Sequence, residues 1–139
     1  MSGKIQQQIE LILKDVLQFH AELEGNKDFA TGAGIRDFGL LESAVNAPFQ
    51  TFGGQDLYET IFDKAAHLAY GLTKNHGFVD GNKRVALHAM LVYLMVNDID
   101  VEYTQEELVQ LGLDIADSKI SPDEISLWLK SRERFLNVR

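Results

Sequence analysis

Apolar residues recur at helical spacing along most of this chain, and only two prolines interrupt them. Ile5, Ile9, Ile12, Leu13, Val16 and His20 share one face, which predicts a first helix over Gly3 to Leu23. Glu24 to Phe38 is rich in glycine and polar residues and reads as an ordered loop. Gly39 to Ala47 reads as a short helix stopped before Pro48. Phe49 to Gln55 carries Gly53-Gly54 after Thr51-Phe52, which suits a small hairpin or flap. Leu57, Ile61, Ala65, Leu68 and Leu72 then repeat at helical spacing up to Lys74. From about Gly81 to Asn97 the residues are apolar nearly all round, the signature of a helix buried on every side. Thr104-Gln105-Glu106-Glu107 has the form of a capping box and opens a helix through about Asp117. Ser121-Pro122-Asp123-Glu124 is a second such box, with proline at the first helical position. It opens a last helix with Ile125, Trp128, Leu129 and Phe135 inward. Together these elements predict one all-α domain over residues 1–139: about six helices around a central buried helix, with a small β flap.

The bulk numbers narrow the function. A chain of 139 residues, 45% apolar and 24% charged, is an ordinary globular domain with room for a sizeable core. Its net charge of −8 argues against a nonspecific grip on DNA or RNA, because neutralising phosphates needs a basic face. An acidic body instead suits a basic partner peptide. Cysteine is absent, which excludes disulfides, thiolate nucleophiles and cysteine zinc sites and fits a reducing cytosol. Met1-Ser2-Gly3-Lys4 leads into an amphipathic stretch rather than a signal-peptide core, and the longest apolar run is interrupted by His88. The expectation is a cytoplasmic protein with neither a membrane nor a nucleic acid as partner.

The chemistry concentrates in His76-Gly77-Phe78-Val79-Asp80-Gly81-Asn82-Lys83-Arg84. This polar segment stands at the start of the apolar run from Val85 to Val96, where backbone N–H groups lack partners and the helix dipole favours an anion. His76 can accept the proton of an attacking hydroxyl. Asp80 can hold Mg²⁺ bridging nucleotide phosphates, or cap the helix. Gly81 permits close backbone approach, Asn82 can shape the turn, and Lys83 and Arg84 can neutralise phosphate. Arg84 could alternatively pair with Asp80. Phe78 reads as the anchor of the loop in the core. His20, His67 and His88 read as structural, His88 as a hydrogen-bonded core histidine. Asp63, His67 and His76 lack a metal spacing, and Gly32-Ala33-Gly34 lacks the context of a phosphate loop. Arg36-Asp37 reads as an ion pair steadying the loop. Trp128 reads as core or as part of a partner groove, and Glu106-Glu107 as capping residues.

The nine-residue segment resembles the signature loop of the Fic/Doc family, His-x-Phe-x-Asp/Glu-Gly-Asn-x-Arg. Gly34 to Ala44 resembles the upstream motif of that family's death-on-curing (Doc) branch, Phe52 to Tyr58 its flap and following helix start, and Ile120 to Lys130 its closing helix. Two positions depart from the AMP-transferring pattern. Lys83 stands where that pattern has glycine, and Leu87 where it has a second arginine. Asn-Lys-Arg is the Doc variant, for which the resemblance implies an inverted nucleotide with its γ-phosphate facing the acceptor. The implied activity is transfer of phosphate from ATP to a protein hydroxyl, by resemblance a threonine of translation elongation factor Tu, halting protein synthesis. His76 would then be the general base, Asp80 the Mg²⁺ ligand, and Gly81, Asn82, Lys83 and Arg84 the phosphate cradle. Thr51, Phe52, Gly53, Gly54 and Gln55 would hold the target by strand-like pairing. The Ser/Thr-x-x-x-Glu-Gly/Asn string that restrains many Fic enzymes is absent, which implies control by an antitoxin in trans. The alternatives are a Fic-type AMP-transferase and a non-catalytic antitoxin partner acting as corepressor. Gly77 replaces the proline common at its position and is expected to loosen the loop at under ~1 kcal/mol.

Overall fold

A computed structural model of the chain describes residues 3–25 and 34–135. Of the loop expected over Glu24 to Phe38 it therefore covers only the two ends. Gly32 and Ala33 of the glycine pattern lie outside the described residues.

The first helix, α1, spans Gly3–Leu23. Next comes α2, Phe38–Asn46, which begins where the Asp37 carboxylate accepts from the Leu40 N–H. A single 3₁₀ turn, Ala47–Phe49, carries Pro48 and leads to the hairpin β1 (Thr51–Phe52) and β2 (Gln55–Asp56). Gly53 and Gly54 turn it with φ of +60° and +82°, the pair of left-handed residues that a tight two-residue hairpin requires. The flap expected there is present, with Thr51 opposite Asp56 and Phe52 opposite Gln55. Helix α3, Ile61–Lys74, is capped by the Thr60 hydroxyl, so Leu57 lies outside it and half exposed. The spacing of Leu57 to Ile61 is helical, but the Thr60 cap restarts the chain, and Leu57 belongs to the flap exit instead.

Helix α4 is Asn82–Val96, followed by β3 (Asp100–Val101), α5 (Gln105–Ala116), α6 (Pro122–Ser131) and β4 (Glu133–Arg134). Both expected capping boxes form, Thr104 with Glu107 and Ser121 with Glu124. The Thr104 N–H and the Arg132 guanidinium hold the Glu107 carboxyl below its usual range. Phe135 is not inward: α6 stops at Ser131, the chain turns back to pair β4 antiparallel with β3, and Phe135 follows β4 into solvent.

Helices α3 and α4 pack together at the centre. Alanines 65, 66 and 69 are fully buried on α3, and these short side chains let its neighbours α2, α4 and α6 come close. Between α3 and α6 the Ser126 hydroxyl donates to Asp63 at 2.6 Å. Burial alone would raise the Asp63 pKa, yet the hydrogen bonds from Ser126 and Thr60 and the charge of Lys130 hold it below normal. Lys64 is buried at the foot of the flap, where its ammonium donates to Asp56 and to the carbonyls of Tyr58 and Glu59. His67 stacks on Tyr58, and its burial lowers its pKa against the pull of Asp123 and Asp63. On α4, burial and the nearby Asp56 charge push the Tyr93 hydroxyl up to about 12. His88 bonds Asp15 of α1 at 2.9 Å and stacks on Phe19, a structural tie between the two helices. None of the described helices is long and apolar enough to cross a membrane.

Candidate active site

The α3–α4 connection is stapled to the segment before α2. Val79 donates to the Gly34 carbonyl, and the Arg36 and Asp37 N–H groups both donate to the Gly77 carbonyl. Arg36 extends its guanidinium to the carbonyls of His76 (2.6 Å) and Asn75 (3.2 Å). Arg36 and Asp37 therefore do not form the expected ion pair. Each serves backbone, Arg36 on the loop and Asp37 at the α2 cap. Phe78 is the anchor, 1% exposed. Asn82 clasps it from the next turn: its side-chain oxygen accepts from the Phe78 N–H and its amide donates to the Phe78 carbonyl, both at 2.9 Å. The Asn82 side chain is thus turned into the loop, and only its backbone faces the helix start.

Gly77 also has a packing role that its backbone freedom does not describe. A Cβ there would lie against Leu41, 2.6 Å from Cγ and closer still to Cδ2, and Leu41 is 1% exposed with nowhere to go. Glycine is demanded by close approach. Gly77→Ala is expected to lower the unfolding free energy by about 1–3 kcal/mol through overpacking. A denaturant titration checks this, and an unchanged midpoint would mean that Leu41 yields freely.

With the loop so held, α4 begins at Asn82 after Gly81 at φ +85°, and no side chain caps it. The first bond of the helix runs from Val85 to the Gly81 carbonyl, leaving the N–H groups of residues 82–84 without helical partners. This helix start lies at a cavity of about 430 Å³ lined by Leu23, Glu24, Thr73, His76, Val79, Asp80, Gly81, Asn82, Lys83, Arg84 and Ala116. The expected base, the carboxylate and the cradle are therefore brought into one cavity. The flap is not part of its wall. All of its residues are exposed, Phe52 at 83%. A larger groove of about 620 Å³ lies beside the β3–β4 ribbon, but its arginine, Arg134, is paired with Asp100 and Glu102 and it contains no histidine.

Within the cavity the two cations, Lys83 and Arg84, make no ion pair among the described residues, so Arg84 does not pair with Asp80. The His76 imidazole is exposed and makes no hydrogen bond among them, and its backbone is left-handed at φ +52°. One oxygen of Asp80 accepts from the Gly81 N–H at 2.8 Å, which leaves the other oxygen for a cation. No cluster of three or more acidic or histidine ligands occurs among the described residues. A lone carboxylate fits Mg²⁺, which keeps several waters and takes further oxygens from phosphate.

Three neighbours of the loop escape a linear reading. His20 donates to the Asp80 carbonyl, Glu24 one turn later reaches the cavity wall, and Gly112 of α5 receives both Lys83 and Leu87. A Cβ on Gly112 would lie 3.0 Å from Leu87 Cδ1 and 3.0 Å from Lys83 Cγ. The two departures from the AMP-transferring pattern thus meet over one glycine.

A short loop stapled to the segment before α2 thus leads into an uncapped central helix with an exposed histidine at its mouth. The profile of the Fic/DOC family matches residues 10–94, more than half of the chain, and the chain belongs to that family. It is also similar to the protein named Toxin Doc of Mycolicibacterium smegmatis, with 45% identity over 67 residues. That match covers 48% of this chain and 52% of the relative, so the chain spans about half the length of the curated relative it matches.

Proposed function

We propose that this chain is a Doc-type toxin that transfers the γ-phosphate of ATP to a hydroxyl of a cytosolic protein, by resemblance a threonine of elongation factor Tu, and so arrests translation. The observation that carries the reading is the convergence of His76, Asp80, Lys83, Arg84 and the uncapped start of α4 on one cavity. His76 takes the proton of the target hydroxyl, whose oxygen bonds to the γ-phosphorus. The bond from that phosphorus to the β–γ bridging oxygen breaks, and ADP leaves. Lys83, Arg84 and the helix start hold the transferring charge in place, which is most of what phosphoryl transfer requires. Asp80 would hold Mg²⁺, which supplies neutralisation of the phosphate oxygens. The exposed edge of the flap is suited to strand-like pairing with the target segment.

Lys83 and Leu87 favour γ- over α-phosphate transfer, because they replace the glycine and arginine with which AMP-transferring members hold the distal phosphates. Control falls to an antitoxin bound in trans, for which an acidic surface favours a basic segment. The test is incubation of the purified chain with cell extract, Mg²⁺ and ATP labelled at either the α- or the γ-phosphate. Protein labelled only from the γ-position is expected. Label from the α-position would establish AMP transfer instead, and no label from either would favour a binding-only partner.

A further inference from the structure

Behind the loop, on the last turn of α1, His20 is 2% exposed. Its ring lies on Phe78 with centroids 3.8 Å apart and planes 10° from parallel. A Cβ on Gly34 would come within 2.7 Å of its Cε1, and one on Gly81 within 3.4 Å of its Cδ2. The ring is therefore gripped on three sides. Burying an imidazole is costly unless its polar atoms are used, and here one is used across 60 residues of sequence. Nε2 stands 2.9 Å from the Asp80 carbonyl oxygen. A carbonyl only accepts, so Nε2 carries the hydrogen and donates. The Glu24 carboxylate, 3.6 Å from the same nitrogen, lies beyond that bond.

The carbonyl that His20 holds belongs to the same planar peptide as the Gly81 N–H. In a trans peptide the two point opposite ways. Fixing the oxygen toward His20 therefore aims the N–H toward the Asp80 carboxylate, where the 2.8 Å bond is found. Glycine accepts either sign of φ, so at Gly81 this peptide could flip at little steric cost. A flip would turn the N–H away and free the Asp80 side chain. We propose that His20 is a positioning residue for the loop: by donating Nε2–H to Asp80 it locks the Asp80–Gly81 peptide in the one orientation that holds the Asp80 carboxylate ready for a cation. This rests on the reading of Asp80 as the Mg²⁺ ligand, while the peptide lock itself is observable without any reaction.

Two variants of the full chain separate the donor from the ring. His20→Phe keeps a flat ring on Phe78 and deletes the donor. His20→Gln loses the ring but returns an N–H near the position of Nε2. In His20→Phe the Gly81 amide resonance is expected to move and its hydrogen exchange to quicken. The Mg²⁺ concentration for half-maximal transfer should rise by about 10–100-fold, the usual cost of losing a group that orients a metal ligand. The rate at saturating Mg²⁺ should change much less, and His20→Gln should recover most of both effects. A folded His20→Phe protein with an unmoved Gly81 amide would overturn the proposal. So would equal loss of rate in both variants with the Mg²⁺ dependence unchanged. If neither variant folds, the wild-type imidazole decides: nitrogen NMR should show Nε2 protonated and coupled to the Asp80 carbonyl, and a proton on Nδ1 alone would refute the lock. Absence of transfer by the wild-type chain would remove the kinase reading and leave the amide and tautomer results to judge His20.

Discussion

His76→Ala is expected to lower phosphate transfer by about 10²–10⁴-fold, the range spanned by general-base help, while leaving the fold in place. The imidazole is exposed and makes no hydrogen bond among the described residues, so its removal breaks no described hydrogen bond. The staple from Arg36 runs to the His76 carbonyl, which every substitution retains. The one structural cost is conformational: the residue sits at φ +52°, where histidine and asparagine are tolerated better than most. His76→Asn is therefore the cleaner variant, since it keeps that preference and lacks a base near neutral pH. Both variants should melt close to the parent, and both should fail to label protein from γ-labelled ATP. Near-normal transfer by a folded His76→Asn protein would take the base assignment away. Restored transfer at high pH, where hydroxide assists, would support it.

The elements that local signals define were legible from the chain. The span of α1 follows from its apolar stripe, and the starts of α5 and α6 follow from two capping boxes that close within four residues. The flap follows from two consecutive glycines, which few other structures need. Misreadings came where periodicity ran past a cap. Leu57 keeps helical spacing with Ile61, but Thr60 intervenes; Phe135 keeps it with Trp128 and Leu129, but β3 draws the chain off at Ser131. The β3–β4 ribbon pairs two-residue segments more than thirty positions apart, too short for any alternation to register. In the candidate site the nine-residue segment named the residues that line the cavity but not those that hold them. Arg36 acts over 40 residues and His20 over 60, and no spacing rule reaches that far. A histidine closing an otherwise apolar helix face was the available signal for His20. The meaning of Gly77 depended on Leu41, a neighbour in space alone.

Asn82→Ala is expected to destabilise the fold by about 2–4 kcal/mol, because it strips partners from two groups at once. The Phe78 N–H loses its acceptor and the Phe78 carbonyl its donor, in a residue 1% exposed where water does not replace them. The orientation of the amide follows from this pairing, since a reversed amide would set oxygen against the carbonyl and hydrogen against the N–H. Asn82→Asp isolates half of the clasp. One carboxylate oxygen still accepts from the Phe78 N–H, while the other is forced against the Phe78 carbonyl. The folded state then favours the protonated acid, which can donate to that carbonyl, so the pKa of the new carboxyl is higher folded than unfolded. The stability it contributes is complete below the unfolded value, about 4 for an aspartate, and is lost as pH rises through the folded one. Asn82→Asp should therefore match Asn82→Ala or fall below it near pH 7 and approach the parent as pH falls toward about 4. Denaturant titrations of the three proteins across that range measure it. If the gap between Asn82→Asp and the parent stayed constant with pH, the Phe78 carbonyl would not be held by this side chain, and the loop would owe its shape to the backbone staples, Phe78, Arg36 and His20.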